Sequence, residues 1–289
     1  MTPPFDARQV RHAFGRAAAS YEANAVLQRE VGQRLLERLD YVAAVPARVL
    51  DLGCGPGHAA QAMRARWKGA QVIALDVALP MLDRVKPNWL RPLARVNADA
   101  RALPLAEASV DVLFSNLCIQ WIDDLPALFE EFRRVLRPGG YLAVSTFGPD
   151  TLRELRAAWA QVDRAPRVNV FADIARIGDA LMHAGFRDPV LDGEHFTLTY
   201  HDATTLMREL KAIGATNADP QRARGLTGRS RHRRAVAAYE AFRSDGLLPA
   251  TYEVIYAHAW APDSGQPRRG RGGGEIASFP IERLRGSRR

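Results

Sequence analysis

Val49-Leu50-Asp51-Leu52-Gly53-Cys54-Gly55-Pro56-Gly57 is an apolar run that breaks into three alternating glycines and restarts at Ala59-Ala60-Gln61-Ala62-Met63 with helical composition. A strand that ends in glycines before a helix sets bare backbone amides against a ligand at a helix N-terminus. The dinucleotide fingerprint needs a third glycine three residues after the second. That position is His58 here, and Gly57 follows Gly55 by two, so the spacing is GxGxG. The acid at the strand end, Asp51, would repel a phosphate and attract a ligand that carries an amino group.

Two more strand ends repeat the pattern. Gln71-Val72-Ile73-Ala74-Leu75-Asp76 is a short apolar strand closing on an acid 25 residues after Asp51, near the spacing at which a carboxylate accepts both ribose hydroxyls. Val96-Asn97-Ala98-Asp99-Ala100 is a third. A fourth strand, Val110–Phe114, runs into Ser115-Asn116-Leu117-Cys118-Ile119-Gln120-Trp121. Ligands of open α/β sheets bind outside the carboxyl ends of strands, which makes Asn116, Gln120 and Trp121 candidates for the reacting centre, Trp121 equally for a plain hydrophobic anchor.

The segment Asp51–Gly57 resembles the first motif, D-x-G-x-G-x-G, of the class I S-adenosylmethionine-dependent methyltransferases. The resemblance implies an α/β Rossmann-like fold, a seven-stranded mostly parallel sheet with helices on both faces. It also implies S-adenosyl-L-methionine as cofactor. Asp51, Gly53, Gly55 and Gly57 would then face its methionine part, Asp76 its ribose, and Asp99 and Ala100 the adenine, with Met81 as an apolar cover on the ring.

The totals are those of an ordinary globular protein: 289 residues, 47% hydrophobic and 25% charged. There is no apolar run of about 18 residues for a membrane span, and residues 1–6 lack a secretory h-region, so the expectation is a cytoplasmic enzyme. Two cysteines, Cys54 and Cys118, suggest neither a disulfide framework nor a cysteine-rich metal site. Net charge is +8, but only three of 40 basic residues are lysine. Such arginine bias follows base composition as readily as selection for nucleic acid, which is therefore not the expected partner. Arg222, Arg224, Arg229, Arg231, Arg233 and Arg234 nonetheless crowd one stretch without an acid among them, a docking face for an acidic partner.

Apolar positions three or four apart from Val10 to Leu39 predict a helical cap over residues 1–45, bent near Gly15 and the patch 17–20. The methyltransferase domain is expected over 46–261. Within it, 126–136 reads as an amphipathic helix stopped by Arg137-Pro138-Gly139-Gly140 before a strand at 141–146. A lid insert occupies 150–172, a helix 174–184 precedes a strand at 194–200, and another helix spans 204–213. The final strand, 251–260, is expected antiparallel at the sheet edge, followed by a Gly/Arg-rich tail, 262–289, with a short strand near 276–281.

Phe14-Gly15-Arg16-Ala17-Ala18-Ala19-Ser20-Tyr21-Glu22 closely resembles the opening of the malonyl-acyl-carrier-protein O-methyltransferases of biotin synthesis. Leu210-Lys211-Ala212-Ile213-Gly214-Ala215-Thr216 and the insert at 150–171 resemble the same family. It implies methylation of the free carboxylate of a malonyl thioester on acyl carrier protein, or on coenzyme A, with Tyr21, Arg16, Arg134 and Trp121 at the substrate. Arg134 also has an ordinary explanation, a pair with Glu130 or Glu131 on its own helix. A carboxylate is ionised near neutral pH, so this reaction needs no general base or metal. Three other readings stay open. One is a methyltransferase for another small acid. Another is a cofactor-binding hydroxylase, because Phe147–Leu152 also resembles a run in an arginine-hydroxylating assembly factor of respiratory complex I. The last is RNA binding through the basic face.

Overall fold

The computed structural model describes residues 5–42, 45–86, 93–222, 225, 227–263, 268–269 and 275–276. Seven strands form one sheet: β1 (Arg48–Leu52), β2 (Gln71–Asp76), β3 (Ala94–Asn97), β4 (Val110–Asn116), β5 (Leu136–Phe147), β6 (Arg187–Tyr200) and β7 (Leu248–Trp260). Their order is β3-β2-β1-β4-β5-β7-β6, parallel from β3 to β5 and antiparallel at β7 with both its neighbours. The parallel strands are near-continuous apolar runs because helices cover both faces. Side chains alternate across the sheet: Val49, Val72, Phe114 and Val254 join one core, and Leu50, Leu52, Leu113 and Ile255 join the other. The first core packs under α3 (Val26–Glu37), α4 (His58–Arg66), α7 (Arg153–Ala160), α9 (Ala203–Ala212) and α10 (Arg229–Tyr239). The second packs under α6 (Leu125–Val135) and α8 (Ile174–His183).

Aspartates start several helices by accepting from an N–H three residues on. Asp124 caps α6 this way, Asp173 caps α8 and Asp202 caps α9. Asp6 does the same for α1 (Ala7–Ala17). The cap is three helices rather than one bent helix: α1, the single turn α2 (Tyr21–Asn24) and α3, with breaks at Ser20 and Ala25. A further short turn, α5 (Leu79–Leu82), follows β2.

Several sequence expectations need correction. Strand β7 is not at the edge. It is buried on both faces along almost its whole length, whereas β6 alternates between partly buried and exposed residues, so β6 takes the edge and β7 the interior. Strand β6 begins at Arg187, well before Glu194, because it pairs with β7 from Arg187↔Trp260 to Tyr200↔Leu248. Residues 137–140 do not stand outside β5. They form its opening, with a register shift against β4 and Gly139 at φ +71°.

The insert at 150–172 is tied to strand β7. Glu154, 5% exposed, accepts from the Thr251 backbone N–H (3.0 Å) and hydroxyl (2.5 Å) on β7, and Thr151 and Glu253 exchange further bonds beside it. Leu155, Ala158 and Trp159 are buried in the first core. Of the expected tail strand, the pair β8 (Arg268–Arg269) and β9 (Glu275–Ile276) is seen, and residues 277–281 lie outside the described residues.

Candidate active site

Sheet order reverses between β1 and β4, the switch point at which such sheets bind ligands. There the loop after β1, the ends of β2, β3 and β4, and the inner faces of α1 and α2 enclose a cavity of about 810 Å³ including its open mouth. Tyr21, Gly53, Gly55, Asp76, Met81, Asp99, Ala100, Asn116 and Trp121, all singled out in the sequence, lie on its wall.

The glycine loop is built by close approach. Gly53 sits at φ +68°, and a Cβ there would lie 2.4 Å from Cys118 Sγ. At Gly55, φ +52°, a side chain would grow under the Tyr21 ring and fill the cavity. Gly57 does not reach the wall. Left-handed at φ +83° and packed on Val85, it opens α4.

Asp76, at the end of β2, accepts from the Gly55 N–H (2.9 Å) through Oδ2 and the Ala78 N–H (2.8 Å) through Oδ1. Burial raises its carboxyl and these N–H groups oppose the rise. Asp51 does not face the cavity. Strand alternation turns it under the loop, where it is 1% exposed and accepts from the Ala60 N–H at the start of α4, while Oδ2 has no partner among the described residues. Burial pushes its carboxyl up to about 7, with Ala60 opposing and the Asp76 charge adding. Asp99 is gripped by Arg101 through two side-chain bonds, 2.9 and 2.5 Å, and this pairing holds its carboxyl below the usual range.

Asn116 is fully engaged: Nδ2 donates to Gln28 O (2.9 Å) and Oδ1 accepts from Ser145 Oγ (2.8 Å). A Cβ on Gly32 would lie 3.0 Å from Nδ2, so Asn116 clamps α3 onto the end of β4. Gln120 is turned inward, donating to Leu117 O. Trp121 stacks edge-on against Phe14 at 5.4 Å, and its indole N–H has no partner among the described residues. The Tyr21 ring is on the wall, and no hydrogen bond to its hydroxyl is present among the described residues. Burial, then the Asp76 charge, raises its hydroxyl pKa.

Neither arginine expected at the substrate lines this cavity. Arg134 chelates Glu131 at 2.7 Å and donates to Leu105 O (2.8 Å) and Leu103 O (3.0 Å), tying a loop to α6. Arg16 is exposed on α1 and makes no ion pair among the described residues. The arginine on the wall is Arg101, which sequence reasoning missed although it stands two residues after Asp99. Phe14 was counted as core periodicity, yet it lines the cavity with Val10.

The wall suits S-adenosylmethionine better than a pyrophosphate. Asp76 and Asp99 face the cavity, Asp51 lies behind it, and the arginine present is already spent on Asp99. A dianion would meet the Asp76 carboxylate, whereas an ammonium and a sulfonium would be attracted to it. The cradle that side chains at Gly53 and Gly55 would fill is the second match.

Fold, glycine loop and acid-lined cavity define a class I S-adenosylmethionine-dependent methyltransferase, and residues 50–144 match the family model described as a methyltransferase domain. A phosphoethanolamine N-methyltransferase 2 of Haemonchus contortus, solved with S-adenosyl-L-methionine, superposes with a TM-score of 0.53 at 19% identity over 86% of this chain and 57% of that one, a likeness of fold. Curated relatives are much nearer. The chain is 55% identical over 97% of its length, and 96% of the relative's, to a malonyl-[acyl-carrier protein] O-methyltransferase of Xylella fastidiosa. It is 52% identical over 90% of both chains to one of a Methylovorus species. The chain belongs to the malonyl-[acyl-carrier protein] O-methyltransferase family. No helix among the described residues is long and apolar enough to cross a membrane.

Proposed function

We propose that this protein methylates the free carboxylate of a malonyl thioester carried on acyl carrier protein. The observation that carries the reading is the end-to-end identity with relatives of that name. S-adenosylmethionine supplies a methyl group on a sulfonium, which a carboxylate oxygen accepts as the carbon–sulfur pair returns to sulfur, and no proton moves. The chain's own task is to hold, align and dry the reactants, effects that supply about 7–11 kcal/mol when geometry is right.

Asp76 and the glycine loop hold the ribose and methionine portions, Asp99 and Met81 the adenine end. The apolar residues Val10, Phe14 and Trp121 exclude water. Tyr21 is the donor for the acceptor carboxylate: a neutral hydroxyl orients one oxygen and leaves a lone pair open, whereas a bidentate arginine would quench the nucleophile. Release of S-adenosylhomocysteine with malonyl but not acetyl thioester tests the reading. Equal release with both would refute the carboxylate assignment. Tyr21→Phe is expected to raise the malonyl KM with little change in cofactor Kd.

The carrier-protein face is the outer surface of α10. Arg222 of the basic stretch is paired to Asp6 at 3.0 Å, Arg234 donates to Gln161 O, and Arg224 lies outside the described residues. Arg229, Arg231 and Arg233 are exposed, and no acid offsets them in the first turn of α10. Cations at a helix N-terminus oppose its dipole, at about 0.3–1 kcal/mol each. Their reward is an acidic partner. Reversing all three to glutamate should raise the carrier-protein KM about tenfold or more, steepest at low salt, with cofactor affinity unchanged; an unchanged KM would place docking elsewhere.

A further inference from the structure

A second cavity, about 1210 Å³ including its mouth, opens between α3, α9 and the end of β6. Its wall includes four consecutive residues of β6, Thr197, Leu198, Thr199 and Tyr200. Side chains of a strand alternate between faces, so a cavity that touches four in a row runs along the strand's edge. Among the described residues strand β6 has one sheet neighbour, β7, and its other edge offers the backbone N–H and C=O groups with which an extended amide chain pairs.

The opposite wall holds Asn24, Leu27 and Gln28. These follow Tyr21 in the cap, and Gln28 O is the group to which Asn116 of the cofactor cavity donates. The two cavities therefore share the segment 21–28 as a partition. On its wall Leu198, Leu210 and Ile213 are apolar, Tyr200, Asp202, Glu209 and Tyr252 are polar, and no arginine or lysine is present among the described residues. Such a groove suits a neutral chain of alternating amides and methylenes. Helix α9 packs on β6 on one side and on α10 on the other, so a carrier docked on the α10 arginines sits one helix away.

We propose that this groove is the entry path for the acceptor's thioester arm, a pantetheine-type chain whose amides pair with the free edge of β6 while its acyl end passes the 21–28 partition toward Tyr21. This rests on the proposed function. Three acceptors separate the two ideas: malonyl-carrier protein, malonyl-pantetheine, and malonate thioesterified to a short alkyl thiol.

Thr205→Trp, a partly exposed α9 position on the groove wall, is expected to raise KM about tenfold or more for the first two. The short thioester's KM and the cofactor Kd should stay at wild-type values. An unchanged KM for malonyl-pantetheine would overturn the groove and leave the function standing. No methyl transfer to any of the three, the short thioester included, would overturn both. Should Thr205→Trp not fold, hydrogen exchange on the wild-type chain decides: malonyl-pantetheine without cofactor should slow exchange across residues 197–200, and no slowing there would refute the proposal.

Discussion

The two halves of the active site are built by opposite means. On the side proposed for the cofactor, the cavity wall comes largely from strand ends that are neighbours in one sheet: the β1 loop, Asp76 after β2, Asp99 after β3 and Asn116 at the end of β4. On the cap side, the pieces are about 200 residues apart. Ser20 Oγ donates to Ala212 O at 2.7 Å, Gly214 packs against Phe14, and Asp6 pairs with Arg222. The two stretches whose sequence resembles the family's, 14–22 and 210–216, are thus one contact. Backbone geometry makes the first half, and long-range packing makes the second. A common nucleotide-type half recurs across many methyltransferases, and the half that must distinguish an acceptor is assembled from distant segments.

Four changes probe that contrast. The largest effect is expected for Gly53→Ala. The residue is left-handed and its Cβ would overlap Cys118, so the loop must move: stability should fall by more than about 4 kcal/mol or cofactor binding vanish. Wild-type calorimetric titration and melting of this variant would break the backbone account.

Next is pH. The folded carboxyl of Asp51 is raised to about 7 from 3.8, so between those values the native state holds a proton that the unfolded chain has released. Stability of the cofactor-free protein should therefore fall as pH rises from about 4 to 7, by roughly 4 kcal/mol from this group. Asp51→Asn should flatten that slope in urea melts, and a slope equal to wild type would assign it elsewhere. Gly214→Ala comes third. At φ +78°, with Phe14 Cα 3.1 Å from the new Cβ, it should cost roughly 2 kcal/mol and loosen α1 from the cavity mouth. The thermal shift and cofactor Kd would move together; a shift in neither would deny that the two family-specific stretches depend on each other.

Arg134→Ala is the smallest. It should lower stability by about 1–2 kcal/mol, through two lost carbonyl bonds and the unpaired Glu131, while the malonyl KM stays at the wild-type value. A raised KM with intact stability would restore Arg134 to the substrate.

This contrast also explains what could be read in advance. The β1 loop, Asp76, Asp99 and Asn116 were legible because strand–turn–helix rules act over a few residues. That Asp51 lies under the loop was not legible, since the motif identifies the residue but strand alternation decides which way it points. Arg134 was legible only as an alternative, because the i,i+3 pair with Glu131 is local while its bonds to Leu103 and Leu105 span about 30 residues. The edge position of β6 was misassigned although its alternation was present in Arg187–Tyr200, because strand order depends on which of two long strands can bury both faces. That same edge underlies the groove beside α9, which no local pattern announces.

The most direct test of the account is the intact mass of malonyl-acyl carrier protein after incubation with this protein and S-adenosylmethionine. The account predicts a gain of one methyl group on the malonyl form and none on the acetyl form. An unchanged mass, in a sample shown by calorimetry to bind the cofactor, would contradict it.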